Sequence, residues 1–253
     1  MFTDTVLGGE KPQWLISFYG YGQSVNSFTE LYEQLKETHN LLVIDNPMGA
    51  PEVDIHPKDL KSYVANRLNE LSIKTFDSIS YSMGSRMNLY LPIFFPHQLQ
   101  KIILLAPDGI SYNFWNRAAI KNPWGRALFR YFVHHESAYM NTLHFLYKIG
   151  IVNKSMYAFS KWNMRDKNQR EFVYNAWMNL RFFRPQLKKV NEALEKNNIE
   201  LLTYFGKNDP VIPLAIQKKC VRFLPKGRHH ILDTDHNLMT KEMFTLLAKE
   251  WNI

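Results

Sequence analysis

Three residues of this 253-residue sequence, Ser82, Asp209 and His236, carry side chains that in combination do chemistry none of them does alone. A serine hydroxyl is a weak nucleophile at neutral pH, so it needs an imidazole to take its proton. The imidazole in turn needs an anion to fix its tautomer and to stabilise the imidazolium that forms. Ser82 lies in the stretch Phe76 to Asn88, Phe-Asp-Ser-Ile-Ser-Tyr-Ser-Met-Gly-Ser-Arg-Met-Asn, between a strand-like run and a helix start. A strand, tight turn and helix in immediate succession hold the middle residue in a strained backbone conformation and lift its side chain clear of the sheet edge. Gly84 stands where the incoming helix crowds the strand. The first small position of this nucleophile elbow is Ser80, where glycine is usual.

Other residues compete for the remaining two roles. Asp233 and Asp235 share the loop of His236, whereas Asp209 follows a strand of its own in Gly206-Lys207-Asn208-Asp209-Pro210, and Asp209 is preferred on that ground. Of the nine histidines, His229 and His230 precede a strand-like run and His134 and His135 fall in a helical segment. His236, in Asp233-Thr234-Asp235-His236-Asn237, is favoured by position. All three chosen residues then stand at strand ends, where open α/β sheets collect their ligand sites.

The elements that would hold them alternate. Continuous apolar runs at Trp14 to Phe18, Leu41 to Asp45, Lys101 to Pro107 and Glu200 to Phe205 read as strands covered on both faces, and so does the run leading to Ser82. Helical spacing appears at Phe28, Leu31 and Leu35 and at Leu60, Val64, Leu68 and Leu71. A further helix and strand are expected over Pro213 to Arg222 and Gly227 to Leu232, with a last helix over about Thr240 to Trp251. The expected fold class is α/β, a mostly parallel central sheet flanked by helices. No internal repeat or low-complexity tract interrupts it.

Residues 111 to 190 depart from this pattern. They carry 14 Lys and Arg against 3 Asp and Glu, leaving 17 basic and 20 acidic residues elsewhere, so the formal charge of +8 belongs to one segment. The same 80 residues hold 18 of the 36 aromatics and no strand-like run, and they read as amphipathic helices broken near Asn122-Pro123, Gly150 to Asn153 and Phe183 to Pro185. The expected division is a core of 1–110 and 191–253 with a helical insertion at 111–190. Trp115 and Trp162 are candidates for an apolar pocket and the segment's arginines for meeting an anion. Aromatics at helical spacing also build a segment's own small core, and basic residues also form solvated faces.

Composition narrows the partners. No apolar run reaches the roughly 18 residues of a membrane span, and the start of the chain shows no secretory pattern. Cys220 is the sole cysteine, which precludes a disulfide within the chain and favours a cytoplasmic location. Basic helices bearing Trp and Phe suit a peripheral contact with an anionic membrane better than they suit nucleic acid, which is not expected as a partner. No zinc-ligand spacing and no phosphate-cradling glycine loop is present, so no metal or nucleotide cofactor is implied.

Four motifs together make nearly the whole chain resemble an α/β-hydrolase: Tyr19-Gly20-Tyr21-Gly22 after an early strand, Tyr81-Ser82-Met83-Gly84 at the elbow, Gly206 to Pro213 at the acid loop, and Asp235-His236-Asn237-Leu238-Met239 at the histidine loop. The order serine, acid, histidine is that family's order. The resemblance implies a triad of Ser82, Asp209 and His236, an oxyanion hole from the backbone amides of Tyr21 and Met83, and a helical cap where residues 111 to 190 stand. It also marks Gly20 and Tyr81 as neighbours of the substrate. Tyr19 replaces the family's common histidine and Ser80 its common glycine, and neither change removes a backbone donor.

The leading expectation is a serine hydrolase cleaving an ester or thioester of a small-molecule substrate, anionic or acyl-chain, through an acyl-enzyme. Ser82-Met83-Gly84-Ser85-Arg86 also resembles the elbow of the menaquinone-pathway synthase that eliminates pyruvate, with Arg86 as the substrate-binding arginine. Carbon–carbon bond hydrolases use the same triad. A non-catalytic binding protein on the same scaffold is the alternative from a different class.

Overall fold

A seven-stranded sheet is the frame of the computed structural model, which describes residues 2–111, 118–120 and 122–251. The strands are β1 (Thr3–Leu7), β2 (Gln13–Phe18), β3 (His39–Asp45), β4 (Phe76–Tyr81), β5 (Leu99–Leu105), β6 (Glu200–Gly206) and β7 (Arg228–Leu232). Their order in the sheet is β1-β3-β2-β4-β5-β6-β7. All neighbours pair in parallel except β1, which runs antiparallel to β3 with Thr3 opposite Asp45 and Leu7 opposite Leu41. Strands β2, β3, β4 and β6 are each buried at all residues but one, as strands covered on both faces must be.

The sequence reading placed no strand at Thr3–Leu7. Three of its five residues are polar and none is fully buried, so it carries neither a continuous apolar run nor a clean alternation. Only pairing with β3 makes it a strand.

Chain order reverses at β2: β3 lies on one side of it and β4 on the other. The loops leaving the carboxyl ends of β2 and β4 flank this reversal, the usual ligand position in such sheets. The loop of residues 19–24 and the elbow at Ser82 are those two loops.

Helices α1 (Thr29–Leu35), α2 (Pro57–Glu70), α3 (Ser85–Asn88) and α4 (Leu91–Phe94) belong to the first half of this sheet unit. Helix α2 shows how the sequence sets them. Pro57 sits at its start, the His56 amide donates to Asp59 Oδ2 at 2.8 Å, and Leu60, Val64 and Leu68 are buried at four-residue spacing. Burying each of these contributes about 1.5–3 kcal/mol.

Among the described residues, a separate unit holds helices α5 (Pro123–His134), α6 (Glu136–Lys148), α7 (Lys154–Asn163) and α8 (Lys167–Asn179). The sheet unit then resumes with α9 (Leu187–Lys196), α10 (Leu214–Phe223) and α11 (Lys241–Ala248). The chain divides into a sheet unit of residues 1–46, 56–111 and 183–253 and a helical unit of 47–55 and 112–182.

These boundaries differ from the expected 111–190 insertion at two places. Residues 47–55 go with the helices because the buried Asn179 fastens them: its amide donates to Pro47 O at 2.7 Å and Ala50 O at 3.0 Å, and its carbonyl oxygen accepts from the Val53 amide at 2.8 Å. Residues 183–190 go with the sheet unit. Phe183 is fully buried, edge-on to Phe2 and Tyr90, and the Arg184 amide donates to Tyr90 Oη at 3.1 Å. Both joins are made by residues distant in sequence, which composition does not register.

Candidate active site

Ser82 follows β4 with φ of +49°, one of four non-glycine residues in the left-handed region among those described. Such a conformation costs on the order of 1–3 kcal/mol and persists only where the surroundings fix it. Here the fixing is visible. A 3-10 turn at Ser82–Gly84 leads directly into α3, and the Asp108 amide donates to Ser82 O at 3.1 Å. Gly84 is obligatory, since a Cβ there would lie 2.4 Å from Phe18 O and 2.6 Å from Tyr19 O.

The acid and histidine loops are clamped to one another through their backbones. Lys207 N donates to Leu232 O at 2.8 Å and Asn208 N to Thr234 O at 2.9 Å. A Cβ on Gly206 would lie 2.0 Å from Asp235 O, so only glycine permits this approach.

On that frame, His236 Nε2 lies 3.1 Å from Ser82 Oγ and His236 Nδ1 2.6 Å from Asp209 Oδ2. A carboxylate only accepts, so Nδ1 carries the hydrogen and Nε2 offers its lone pair to the Ser82 hydroxyl. The Asp209 side chain is fully buried. Its Oδ1 accepts from the Val211 and Ile212 amides at 2.7 and 2.8 Å, which satisfies the second oxygen of a desolvated carboxylate. The competing acids are engaged elsewhere: Asp233 Oδ1 accepts from Asn208 Nδ2 at 3.3 Å, and Asp235 Oδ1 from the Asn237 amide at 2.8 Å.

Tyr81 is placed beside the imidazole. Its hydroxyl donates to His236 O at 3.0 Å and its ring lies 5.2 Å from the imidazole, centroid to centroid. Burial, with smaller contributions from the charges of Asp209 and Asp235, pushes this phenol well above the usual tyrosine range, so it stays a neutral donor. Gly20 brings the loop after β2 against the elbow, for a Cβ there would sit 3.1 Å from Ser82 Cβ and 2.7 Å from Tyr81 Cδ1. Tyr19 turns away: its hydroxyl donates to Asp45 Oδ1 at 2.9 Å.

Two of the expected substrate contacts have partners within the protein. Arg86 is buried with its guanidinium on Asp108, Nε and Nη2 at 2.9 and 2.7 Å from Oδ2. Asp108, which the sequence reading did not single out, follows β5 and neutralises a charge that could not otherwise be buried. Trp162 is 67% exposed on the helical unit, with the Arg165 guanidinium 4.0 Å from its ring centroid. Trp115 lies outside the described residues.

Ser80 was also under-read. Fully buried, its hydroxyl is hydrogen-bonded to Ser85 Oγ and accepts from Asn88 Nδ2, each at 3.0 Å, tying β4 to α3 beneath the elbow. The recurrence of Ser78, Ser80 and Ser85 around the elbow was the available signal. Cys220 is buried in α10, and burial pushes its thiol up to about 12, so it is no rival nucleophile. Among the described residues, no group of three or more His, Cys, Asp and Glu side chains is placed to hold a metal ion.

No protein-family profile matches the chain. The uncharacterised hydrolase YugF of Bacillus subtilis (strain 168) is 22% identical over 245 residues, covering 94% of this chain and 88% of the relative. A thermophilic esterase from Thermogutta terrifontis superposes with a TM-score of 0.66 at 15% identity, covering 99% of this chain and 92% of that one. The enol-lactonase from Burkholderia xenovorans LB400 superposes with a TM-score of 0.65 at 13% identity over 99% and 94%. With its sheet order, its strained serine elbow and whole-length superposition on such structures, this chain has the α/β-hydrolase fold.

Proposed function

We propose that the protein is a serine hydrolase that cleaves a carboxylic ester or thioester through an acyl-enzyme. The observation that carries this reading is the unbroken chain Ser82 Oγ, His236, Asp209 at 3.1 and 2.6 Å, with the serine at φ +49°. In the acylation step Ser82 Oγ attacks the substrate carbonyl while its proton passes to His236 Nε2. Asp209 holds the imidazole in register and stabilises the imidazolium. The oxyanion of the tetrahedral intermediate is assigned to the amides of Tyr21 and Met83, the first beside Gly20 and the second at the start of the elbow turn, where helix amides lack an intrahelical partner. Collapse breaks the bond to the alcohol or thiol, which leaves with the proton from His236. Water then enters by the same route in reverse and releases the acid.

The ester reading is preferred over pyruvate elimination because the arginine that the latter would use, Arg86, is committed to Asp108 in a buried ion pair. The test is labelling by a fluorophosphonate read as an intact-mass shift, alongside hydrolysis of aryl esters of graded acyl length. Labelling of wild type and its loss in Ser82→Ala support the proposal. An unlabelled wild type that hydrolyses no ester overturns it in favour of a binding protein.

A further inference from the structure

We infer that the hairpin of α6 and α7 docks on an anionic lipid surface. This surface lies wholly within the helical unit and does not depend on the catalytic reading. From residue 137 to residue 165 the chain has no Asp or Glu, while Lys148, Lys154, Lys161 and Arg165 are all basic. The hairpin's turn, residues 149–153, puts two aliphatic side chains outside: Ile149 and Ile151 are 51% and 52% exposed, and Phe145, one helical turn before Ile149, is 59% exposed. Val152 is buried beneath them.

The tip is built rather than frayed. Gly150 N donates to Tyr147 O, Ile151 N and Val152 N both donate to Leu146 O, and Gly150 takes φ of +75° with open space around it. Asn153 Oδ1 accepts from Met156 N at 2.8 Å and so caps α7. Tyr147 packs on Tyr157 at 4.7 Å and the Tyr139 hydroxyl donates to Ser160 O at 3.3 Å, locking the two helices together. An ordered turn that exposes two isoleucines is an unfavourable surface in water and presents a convex apolar point.

Charge selects the occupant. Lys148 and Lys154 flank the tip and Lys161 lies further along α7, all three exposed, and among the described residues none lies within ion-pair distance of an acid. Long lysine stems beside a small apolar wedge suit an interface in which the wedge enters the acyl boundary and the ammonium groups meet phosphates. Among the described residues no helix is long and apolar enough to cross a membrane, so the contact is peripheral.

The experiment is co-sedimentation of the full chain with vesicles of phosphatidylcholine, with and without phosphatidylglycerol, at low and high salt. Partitioning at low salt should rise at least about tenfold with the anionic lipid, and changing Lys148, Lys154 and Lys161 together to Gln should reverse that rise. The double variant Ile149→Ser, Ile151→Ser should lose about tenfold in partitioning while keeping the wild-type circular dichroism and melting curve. Equal partitioning to neutral and anionic vesicles, or unchanged binding by the serine variant, overturns the inference. It is also overturned if light scattering without lipid finds a dimer that this variant dissociates, for then a second copy covers the tip.

Discussion

Two histidines of the sheet unit each place both ring nitrogens on partners, one beside a hydroxyl in each case, and only one of them stands where the proposed chemistry needs a base. His236 bridges Ser82 and the Asp209 carboxylate at the carboxyl ends of β4 and β6. His229 bridges the Thr203 hydroxyl, 2.8 Å from Nδ1, and the carbonyl oxygen of Leu224, 2.9 Å from Nε2. A carbonyl only accepts, so His229 donates from Nε2 and receives the Thr203 hydroxyl at Nδ1. Hydroxyl, imidazole and acceptor are thus all present, but the acceptor is neutral and gives an imidazolium little support. Burial accordingly lowers the His229 pKa from its ordinary value. Position differs as well. Thr203 and His229 pair three residues upstream of Gly206 and Leu232, about 10 Å below the edge where a substrate can arrive. A hydroxyl–imidazole contact is therefore a common structural joint. An anion behind the ring and a strained elbow in front of it make the difference.

The comparison breaks most visibly at Ser82. Ser82→Ala should lower kcat by on the order of 10⁶ if the constellation acts as a unit, and Asp209→Asn by about 10⁴ through loss of the correct tautomer. Steady-state hydrolysis of whichever aryl ester the wild type cleaves best reads both, and an Asp209→Asn variant within tenfold of wild type would remove the carboxylate from the mechanism.

At the other histidine the expectation inverts. His229→Leu leaves the Thr203 hydroxyl and the Leu224 carbonyl without their partner and should cost about 1–3 kcal/mol in urea unfolding, with kcat per folded molecule unchanged. A large kcat loss at full folding would make His229 part of the machinery. Ser80→Gly stands between the two cases. It removes the hydroxyl that Ser85 and Asn88 share, which should cost about 1–2 kcal/mol, yet fluorophosphonate labelling of Ser82 should persist, because the Ser80 hydroxyl bonds only inside the elbow. Loss of labelling in a folded Ser80→Gly protein would show that this network sets the elbow itself.

The smallest effect is in pH. His229 is lowered by burial, and His39, buried and near Lys101, is lowered to about 4. For such groups the unfolded chain binds the proton first as pH falls, so unfolding is favoured below the ordinary histidine value of about 6.5, and the loss grows until the folded pKa is reached. The urea midpoint should therefore fall between pH 7 and pH 5, and His39→Gln should flatten part of that slope. An unchanged slope would show that His39 takes up its proton in the folded state as readily as in the unfolded one.

Much of the site was legible in the one-dimensional chain because its signals are local. The turn chemistry around Ser82 and Gly84, the strand endings before Asp209 and His236, and the strand-like runs of β2 to β6 are each set by neighbours a few residues away, and the structure brings Ser82, Asp209 and His236 together. Tertiary structure alone decided the rest, for a physical reason that recurs. Burial of a polar group requires a partner, and nothing in sequence spacing names a partner that folding brings from far along the chain. Arg86 is buried on Asp108, a partner that the elbow motif does not name. Residues 47–55 became part of the helical unit through Asn179, more than 120 residues away in the chain. The edge strand β1 exists only because β3 is there to receive its hydrogen bonds. The sequence by itself determined which residue types could form an acyl-transfer site and in what order; which carboxylate faces which imidazole was decided only by long-range backbone closure, in which Gly206 lets the acid and histidine loops touch.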